Sequence, residues 1–364
     1  MHPFWHRRRV FVTGHTGFKG GWLSLWLQHL GAIVTGFALT PEHSQGIFVG
    51  ADVAQGMTSL IGDVTDLERL SSALREAEPE VVFHFAAQAL VRASYEDPVG
   101  SFATNVMGTV HLLEAIRTVP TVRSVVVVTS DKCYAPRRDE IASSEGDRLG
   151  GDDPYSSSKA CAELVVHAYR HSFFSNAGPR VATVRAGNVV GGGDWGRDRL
   201  VPDIVRAMQS RSEISIRYPG AVRPWQFVLE PLSGYLALAE RLFDRGDSAF
   251  CDAWNFGPQR ADMRPVRELV EVVGSVAGQP VKFVVSSGNH LPENPSLYLD
   301  SEKARRLLGW RSRLGLVKTL DWTMEWYARA RDAPEGALRA LSISQIERYQ
   351  QLAEDPADPG GGEL

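Results

Sequence analysis

"RRVFVTGHTGFKGGWLSLWLQHLG", residues 8–31, is the stretch that decides the fold. Within it, "RRVFVTG" (8–14) reads as a strand, and "KGGWLSLWLQHLG" (19–31) as a helix closed by Gly31. Between them "TGHTGFKG" carries Gly14, Gly17 and Gly20. Glycines at that spacing let the backbone turn tightly and approach a pyrophosphate, which the N-terminus of the next helix attracts. Alone, a glycine triplet is as readily a plain tight turn. Its place after a first strand and before a first helix points to dinucleotide binding. The second strand, "AIVTGFAL" (32–39), ends without an Asp or Glu to hold an adenosine ribose and without an Arg to hold a 2′-phosphate. The residues leave NAD and NADP both open, and Asp63, in "IGDVTD", offers a contact on the adenine side.

Outward from this unit, apolar strands keep alternating with amphipathic helices. "LERLSSALREAEP" (67–79) reads as a helix that Pro79 ends, "EVVFHFAA" (80–87) as a strand and "GSFATNVMGTVHLLEAIRTV" (100–119) as one helix. "RSVVVVTS" (123–130) and "RVATVRAG" (180–187) are strands, and "DPYSSSKACAELVVHAYRHSFF" (153–174) is a long helix with Pro154 near its first turn. Such alternation predicts an α/β fold, a doubly wound parallel sheet of Rossmann type. After residue 187 the chain turns to glycine- and proline-rich loops with short helices between, the mark of a smaller mixed α/β lobe. The expected division is 1–186 with about 226–256 for the dinucleotide domain, and 187–225 with about 257–331 for a substrate lobe. A C-terminal extension covers 332–364, and its Pro- and Gly-rich end, "EDPADPGGGEL", is expected to be disordered.

Composition narrows the function classes. Hydrophobic residues at 43% and charged residues at 23% are those of a soluble globular protein. A net charge of −4 gives no reason to expect a nucleic-acid groove or an anionic membrane surface. No apolar run reaches the roughly 18 residues of a membrane span. The N-terminus has no apolar segment of a signal peptide. The three cysteines, Cys133, Cys161 and Cys251, are scattered, as in a reducing cytoplasm. The ten histidines form no HxxxH or HxH pair, so no metal site is expected.

The chemistry concentrates where "VVVVTSDKCY" (125–134) ends a strand that reads as buried on both faces. Its tip delivers Ser130, Asp131 and Lys132 in succession, at the end of the sheet where ligands bind. "YSSSK" places Tyr155 and Lys159 four residues apart on one helical face. A tyrosine beside a cation and an oxidised nicotinamide has a depressed pKa and can act as a base on an alcohol. An exposed Tyr–Lys pair is the bland alternative, which loses its appeal once the glycine triplet and Ser130 are counted with it. Asp131, equally, could be a simple turn cap.

"TGHTGFKG", "FHFAAQ", "TNVMGT", "TSDKCY", "YSSSK" and "RAGNVVGGGD" together resemble the extended short-chain dehydrogenase/reductase superfamily. Within it, "GHTGFKGGWLSLWL", "TSDKCY", "AGNVVGGGDW" and "RPWQFVLEPL" resemble the CDP-glucose 4,6-dehydratase family, over residues 8 to 330. The resemblance implies NAD as cofactor and CDP-glucose as substrate. It implies oxidation at C4, loss of water across C5 and C6, and return of the hydride at C6. It also implies a place in deoxysugar biosynthesis, such as that of lipopolysaccharide O-antigens.

By that resemblance Tyr155 is the C4 base, Lys159 its pKa modifier and ribose anchor, and Ser130 a partner of O4. Asp131 is the acid for the C6 hydroxyl. In related dTDP-glucose dehydratases a Glu base follows that Asp; here Lys132 stands instead. Lys132 either removes the C5 proton, which requires a neutral amine, or stays charged and stabilises the C5 enolate. The cofactor contacts implied are Gly14, His15, Thr16, Gly17, Phe18, Lys19, Gly20, Asp63, Val64, Ala86, Ala87, Gln88, Asn105, Tyr155 and Lys159. Substrate contacts implied are His84, Asn188, Asp194, Arg199, Arg223 and Trp225. Of these, a lone histidine such as His84 is more often a packed core residue, while Trp225 reads equally as a core residue or a stacking platform and "GGGDWGRDR" (191–199) equally as a lid. The helices at 100–119 and 155–174 resemble those that pair subunits in relatives, which implies a homodimer or a dimer of dimers. Two rivals stay open: a 4-epimerase or a dehydratase for another nucleotide sugar, and a dinucleotide-binding sensor without catalysis.

Overall fold

The computed structural model of the chain describes residues 2–137, 141–174, 178–244, 248–287 and 297–354. In chain order the first part comprises β1 (Arg9–Thr13), α1 (Phe18–His29), β2 (Ile33–Ala38), α2 (Ile47–Gly50), β3 (Thr58–Ile61), α3 (Leu67–Ala77) and β4 (Val81–His84). There follow α4 (Val91–Glu96), α5 (Pro98–Phe102), α6 (Gly108–Ile116), β5 (Ser124–Val128), α7 (Pro154–Ser172) and β6 (Arg180–Ala186). The second part comprises β7 (Val189–Val190), α8 (Leu200–Ser210), β8 (Ile214–Ile216), β9 (Val222–Pro224), β10 (Gln226–Phe227), α9 (Leu229–Phe243) and β11 (Ala253–Phe256). It closes with β12 (Met263–Pro265), α10 (Val266–Val276), β13 (Phe283–Val285), α11 (Glu302–Leu308), α12 (Leu316–Ala330) and α13 (Ala337–Glu354).

Seven strands form one parallel sheet in the order β11-β6-β5-β4-β1-β2-β3. The chain reverses its direction of travel between β1 and β4, the crevice where such sheets take their ligands. Both faces are covered, which is why β5 is an uninterrupted run of valines. Val126 and Val128 belong to one core with Trp22, Leu25, Leu238 and Phe256, while Val125 and Val127 join Leu70, Leu112 and Val166 on the other face. Residues beyond 228 return to this sheet through the 15-residue α9 and through β11, longer structure than the short helices expected there.

Small strand pairs build the rest: β7 with β10 and β8 with β13 run parallel, and β9 with β12 antiparallel. The expected helix over 100–119 runs unbroken from Pro98 to Ile116, with a π segment at Ala103–Met107 inside it. That extra residue in the turn brings Asn105 inward, a common use of π segments.

The C-terminal extension is built into the body. Helix α13 packs on α1, with the rings of Trp26 and Tyr349 5.8 Å apart, and Arg339 donates to the Asp52 carbonyl at 2.8 Å. Glu230, fully buried at the start of α9, accepts from the backbone N–H groups of Arg313 and Leu314 at 2.8 and 2.7 Å. Its other oxygen accepts from the Tyr349 hydroxyl at 2.8 Å. Burial pushes this carboxyl up to about 7 even against those three donors. The segment 355–364, most of the tail expected to be disordered, lies outside the described residues.

Candidate active site

The tip of β5 is shaped by Ser130. Its Oγ accepts from the Lys132 N–H at 3.2 Å and donates to Asp131 Oδ1 at 3.0 Å, capping a short 3₁₀ turn over Asp131–Cys133. Asp131 is buried, and among the described residues its Oδ2 has no hydrogen-bond partner. A Cβ on Gly187 would stand 3.1 Å from that oxygen and 2.3 Å from Pro224, so glycine there makes the room. Burial raises the Asp131 carboxyl, opposed by the charge of Lys132, the Ser130 bond, and then Arg223 and Lys19.

Helix α7 starts on an Asp153 cap, which accepts from Ser156 N at 2.9 Å, followed by Pro154. Tyr155 N donates to Ser94 Oγ at 3.1 Å, fixing the first turn against α4. Lys159 Nζ donates to the Val128 carbonyl at 3.2 Å, and burial, helped by the charge of Lys19, brings this amine down to about 7. Among the protein's own groups burial pushes Tyr155 up to about 12, a rise that the lowering expected beside an oxidised nicotinamide has to offset. Against that rise stand the Ser130 hydrogen bond and the charge of Arg199, with Lys159 aimed at the strand instead.

The glycine turn fits a dinucleotide. Gly14 adopts φ +74°, and a Cβ on it would lie 2.6 Å from Ala86 N; a Cβ on Gly20 would lie 2.2 Å from the Gly14 carbonyl. Helix α1 then begins with no acidic residue in its first turn and no side-chain cap, leaving its N–H groups to a phosphate. Gly17 is its N-cap, Phe18 and Lys19 line the cleft beyond it, and Thr16 Oγ1 donates to the Leu39 carbonyl at 2.8 Å. Burial, then the charge of Arg199, lowers Lys19 to about 8. Asp63, at the end of β3, accepts from Thr65 N at 2.9 Å; next to it Val64 packs against Gly108. Past β4, Ala86 N donates to Thr13 Oγ1, with Ala87 half-buried beside it.

Three of the expected contact residues have their side chains bonded within the protein. His84 is buried with Nδ1 at 2.7 Å from Thr13 Oγ1 and Nε2 at 3.3 Å from Thr109 Oγ1, the packed arrangement of a core histidine; burial takes its imidazole down to about 3. The His15 ring packs under β2 against Gly36 and Phe48 and meets Ser59 Oγ at 2.7 Å, leaving only its backbone in the turn. Asn105 spends its amide inside the protein, bonding Gln88 N and O and donating to Ser158 Oγ at 2.8 Å. It holds the Gln88 loop to α7 rather than facing a ligand.

A cleft of about 860 Å³ gathers the rest: Ser130, Asp131, Lys132 and Tyr155 from one side, Asn188, Asp194, Arg199, Arg223 and Trp225 from the other. Arg199 Nη1 bonds both Asp194 oxygens at 2.9 and 2.8 Å, and Asp194 holds the guanidinium charged. Trp225 is buried in the wall with Nε1 donating to the Arg264 carbonyl at 3.0 Å. Arg92, Arg217 and Tyr218 also line the cleft and were not foreseen, since nothing in their spacing marks them. Asp198 joins Arg92 at 2.7 Å and Arg217 at 3.7 Å across the mouth. Among the described residues no cluster of ligating side chains could hold a metal ion, and no helix is long and apolar enough to cross a membrane.

A family model described as "NAD dependent epimerase/dehydratase family" matches residues 10–249. A CDP-glucose 4,6-dehydratase of Salmonella typhimurium is 48% identical over 329 residues, 89% of this chain and 91% of that protein. Two solved structures share the fold at 21% identity. One is a UDP-glucose 4-epimerase of Thermotoga maritima with UDP-glucose (TM-score 0.78, 89% of this chain and 99% of that one). The other is a dTDP-glucose 4,6-dehydratase of Bacillus anthracis in complex with NAD (TM-score 0.74, 89% and 97%). The glycine cradle, the paired tyrosine and lysine and these matches agree: the chain belongs to the NAD dependent epimerase/dehydratase family, in its CDP-glucose 4,6-dehydratase branch.

Proposed function

We propose that this protein is a CDP-glucose 4,6-dehydratase, converting CDP-D-glucose to CDP-4-dehydro-6-deoxy-D-glucose and water. The observation that carries the reading is the carboxyl of Asp131, buried in the same cleft as Ser130 and Tyr155 with one oxygen unpartnered. A dehydrogenase or an epimerase has no task for such an acid; an elimination needs one. The 48% identity to the Salmonella enzyme supports cytidine as the nucleotide.

Tyr155 takes the proton of the C4 hydroxyl while Ser130 holds O4. When bound, NAD would supply reversible hydride transfer between C4 and C6, with no net consumption of cofactor. The C4 ketone acidifies C5–H, whose proton Lys132 takes; C5 regains a proton when hydride is added at C6. Asp131 gives its proton to the C6 hydroxyl, which leaves as water as the C5–C6 double bond forms. Arg223 offers a guanidinium fork to the substrate's phosphates, with Asn188 beside it. The glycine turn and the start of α1 hold the cofactor's pyrophosphate, and Lys159 supports its ribose.

Tyr95, Val99, Phe102, Met107, Leu164 and Phe173, on the run from α4 to α6 and on α7 and its end, are exposed large apolar side chains, and we take them as parts of one pairing face. Two copies pairing through it make the homodimer of this proposal. Among the described residues Cys133, Cys161 and Cys251 form no disulfide, which accords with a reducing, cytoplasmic setting.

Incubation with CDP-, dTDP-, UDP- and GDP-glucose separates the alternatives. The expected result is the alkali-induced ultraviolet absorbance of a 4-keto-6-deoxy sugar with CDP-glucose, at least tenfold faster than with the others. Equal rates would defeat the cytidine assignment, and absence of signal from all four would defeat the dehydratase.

A further inference from the structure

Behind the reactive tip of β5 lies an ion pair that the chemistry above does not use. Glu163 and Arg185 have side chains only 4% and 3% exposed. Arg185 Nε bonds Glu163 Oε1 and Nη2 bonds Oε2, each at 2.8 Å. The same carboxylate also accepts the hydroxyls of Thr129 at 2.5 Å and Thr183 at 2.7 Å. On its far side Arg185 Nη1 donates at 2.8 Å to the hydroxyl of Tyr134, which donates in turn to Asn255 Oδ1 at 2.7 Å.

Every strong donor and acceptor of the pair is therefore matched, the condition under which a buried charge pair is tolerated. What it joins is specific. Thr129 and Tyr134 are the residues immediately outside Ser130–Cys133, the segment carrying the hydroxyl, the acid and the amine. Glu163 stands eight residues after Tyr155 and four after Lys159, on one face of α7. Lys159 bonds the Val128 carbonyl and Glu163 the next residue, Thr129, so the helix is stitched along the end of the strand.

We infer that the Glu163–Arg185 pair is a positioning device that sets the tip of β5 against Tyr155, and so couples oxidation at C4 to elimination at C5 and C6. The two steps draw on side chains from different elements, and one sugar ring must meet both in a single pose. A displacement of about 1 Å in such geometry can cost on the order of a hundredfold. The inference rests on the dehydratase reading above.

Two mild substitutions test it. Thr129→Val removes one hydroxyl from the Glu163 end, and Tyr134→Phe removes the Arg185 link, both leaving the charge pair intact. Each is expected to lower kcat for CDP-glucose roughly tenfold or more with KM within about twofold, reflecting misplacement rather than lost binding. The C4-oxidised sugar and the absorbance of reduced nicotinamide should build up. Amide hydrogen exchange over 130–134 should quicken in the protein alone, with little change in Tm. Thr129→Ser, which keeps the hydroxyl, should restore the wild-type partition. Wild-type kinetics and exchange in both variants would overturn the inference, as would slow turnover without build-up of the oxidised sugar. A wild-type protein that makes no 4-keto-6-deoxy product would defeat the dehydratase reading instead, and the exchange measurement would still judge the anchoring.

Discussion

Asp131→Asn is expected to stop the reaction after C4 oxidation. The substitution preserves shape: the amide oxygen can still accept from Ser130 Oγ, and Gly187 leaves the same room on the other side. It removes the transferable proton. Burial raises the carboxyl of Asp131, keeping it protonated further toward neutral pH than an exposed aspartate, as an acid for a departing hydroxyl requires. General acid catalysis contributes roughly 10² to 10⁴ in rate, so formation of the 4-keto-6-deoxy product should fall about 10³-fold, or about 4 kcal/mol of barrier. Reduced nicotinamide should accumulate with the C4-oxidised sugar. A substrate bearing fluorine at C6 needs less help from an acid and should recover much of the loss. Rapid dehydration by Asp131→Asn would remove Asp131 from the acid's role.

Tyr155→Phe is expected to fail one step earlier. With the hydroxyl gone no group within the cleft takes the C4 proton, and turnover should fall by about 10³ to 10⁴. No reduced nicotinamide should appear, which separates this variant from Asp131→Asn. The environment makes the dependence severe: burial, with the charges of Asp131 and Asp153, outweighs the Ser130 bond and the Arg199 charge and leaves Tyr155 at about 12. Arg199, held by Asp194 at 2.8 Å, is thus tied to the base as well as to the cleft wall. Oxidation at a wild-type rate in Tyr155→Phe would contradict the assignment.

Most of this site was legible because its signals are local. Gly20 is required by a close backbone contact with Gly14 within one turn, Gly14 by its positive φ, and Tyr155 with Lys159 by the pitch of one helix. Ser130, Asp131 and Lys132 follow a strand whose valines announce burial. What the sequence did not reveal are properties that only tertiary structure supplies. His84 finds Thr13 and Thr109 on separate elements, His15 finds Ser59, and neither partner adjoins its histidine in sequence. The rise of Tyr155 comes from burial, which spacing does not reveal. β3 and β11 have four residues each and gain their identity from pairing with β2 and β6. Glu163 carried a faint mark, four residues beyond Lys159, but Arg185 lies on another strand and completes the pattern only in space.

The central claim is a dehydration with internal return of the C4 hydrogen, and an isotopic label tests it most directly. CDP-glucose carrying deuterium at C4, incubated with the NAD-loaded protein in ordinary water, should yield a 4-keto-6-deoxy product with one deuterium at C6. Solvent hydrogen should occupy C5. Recovery of deuterium at C4 of a sugar that retains its C6 hydroxyl, or its loss to solvent, would contradict the account.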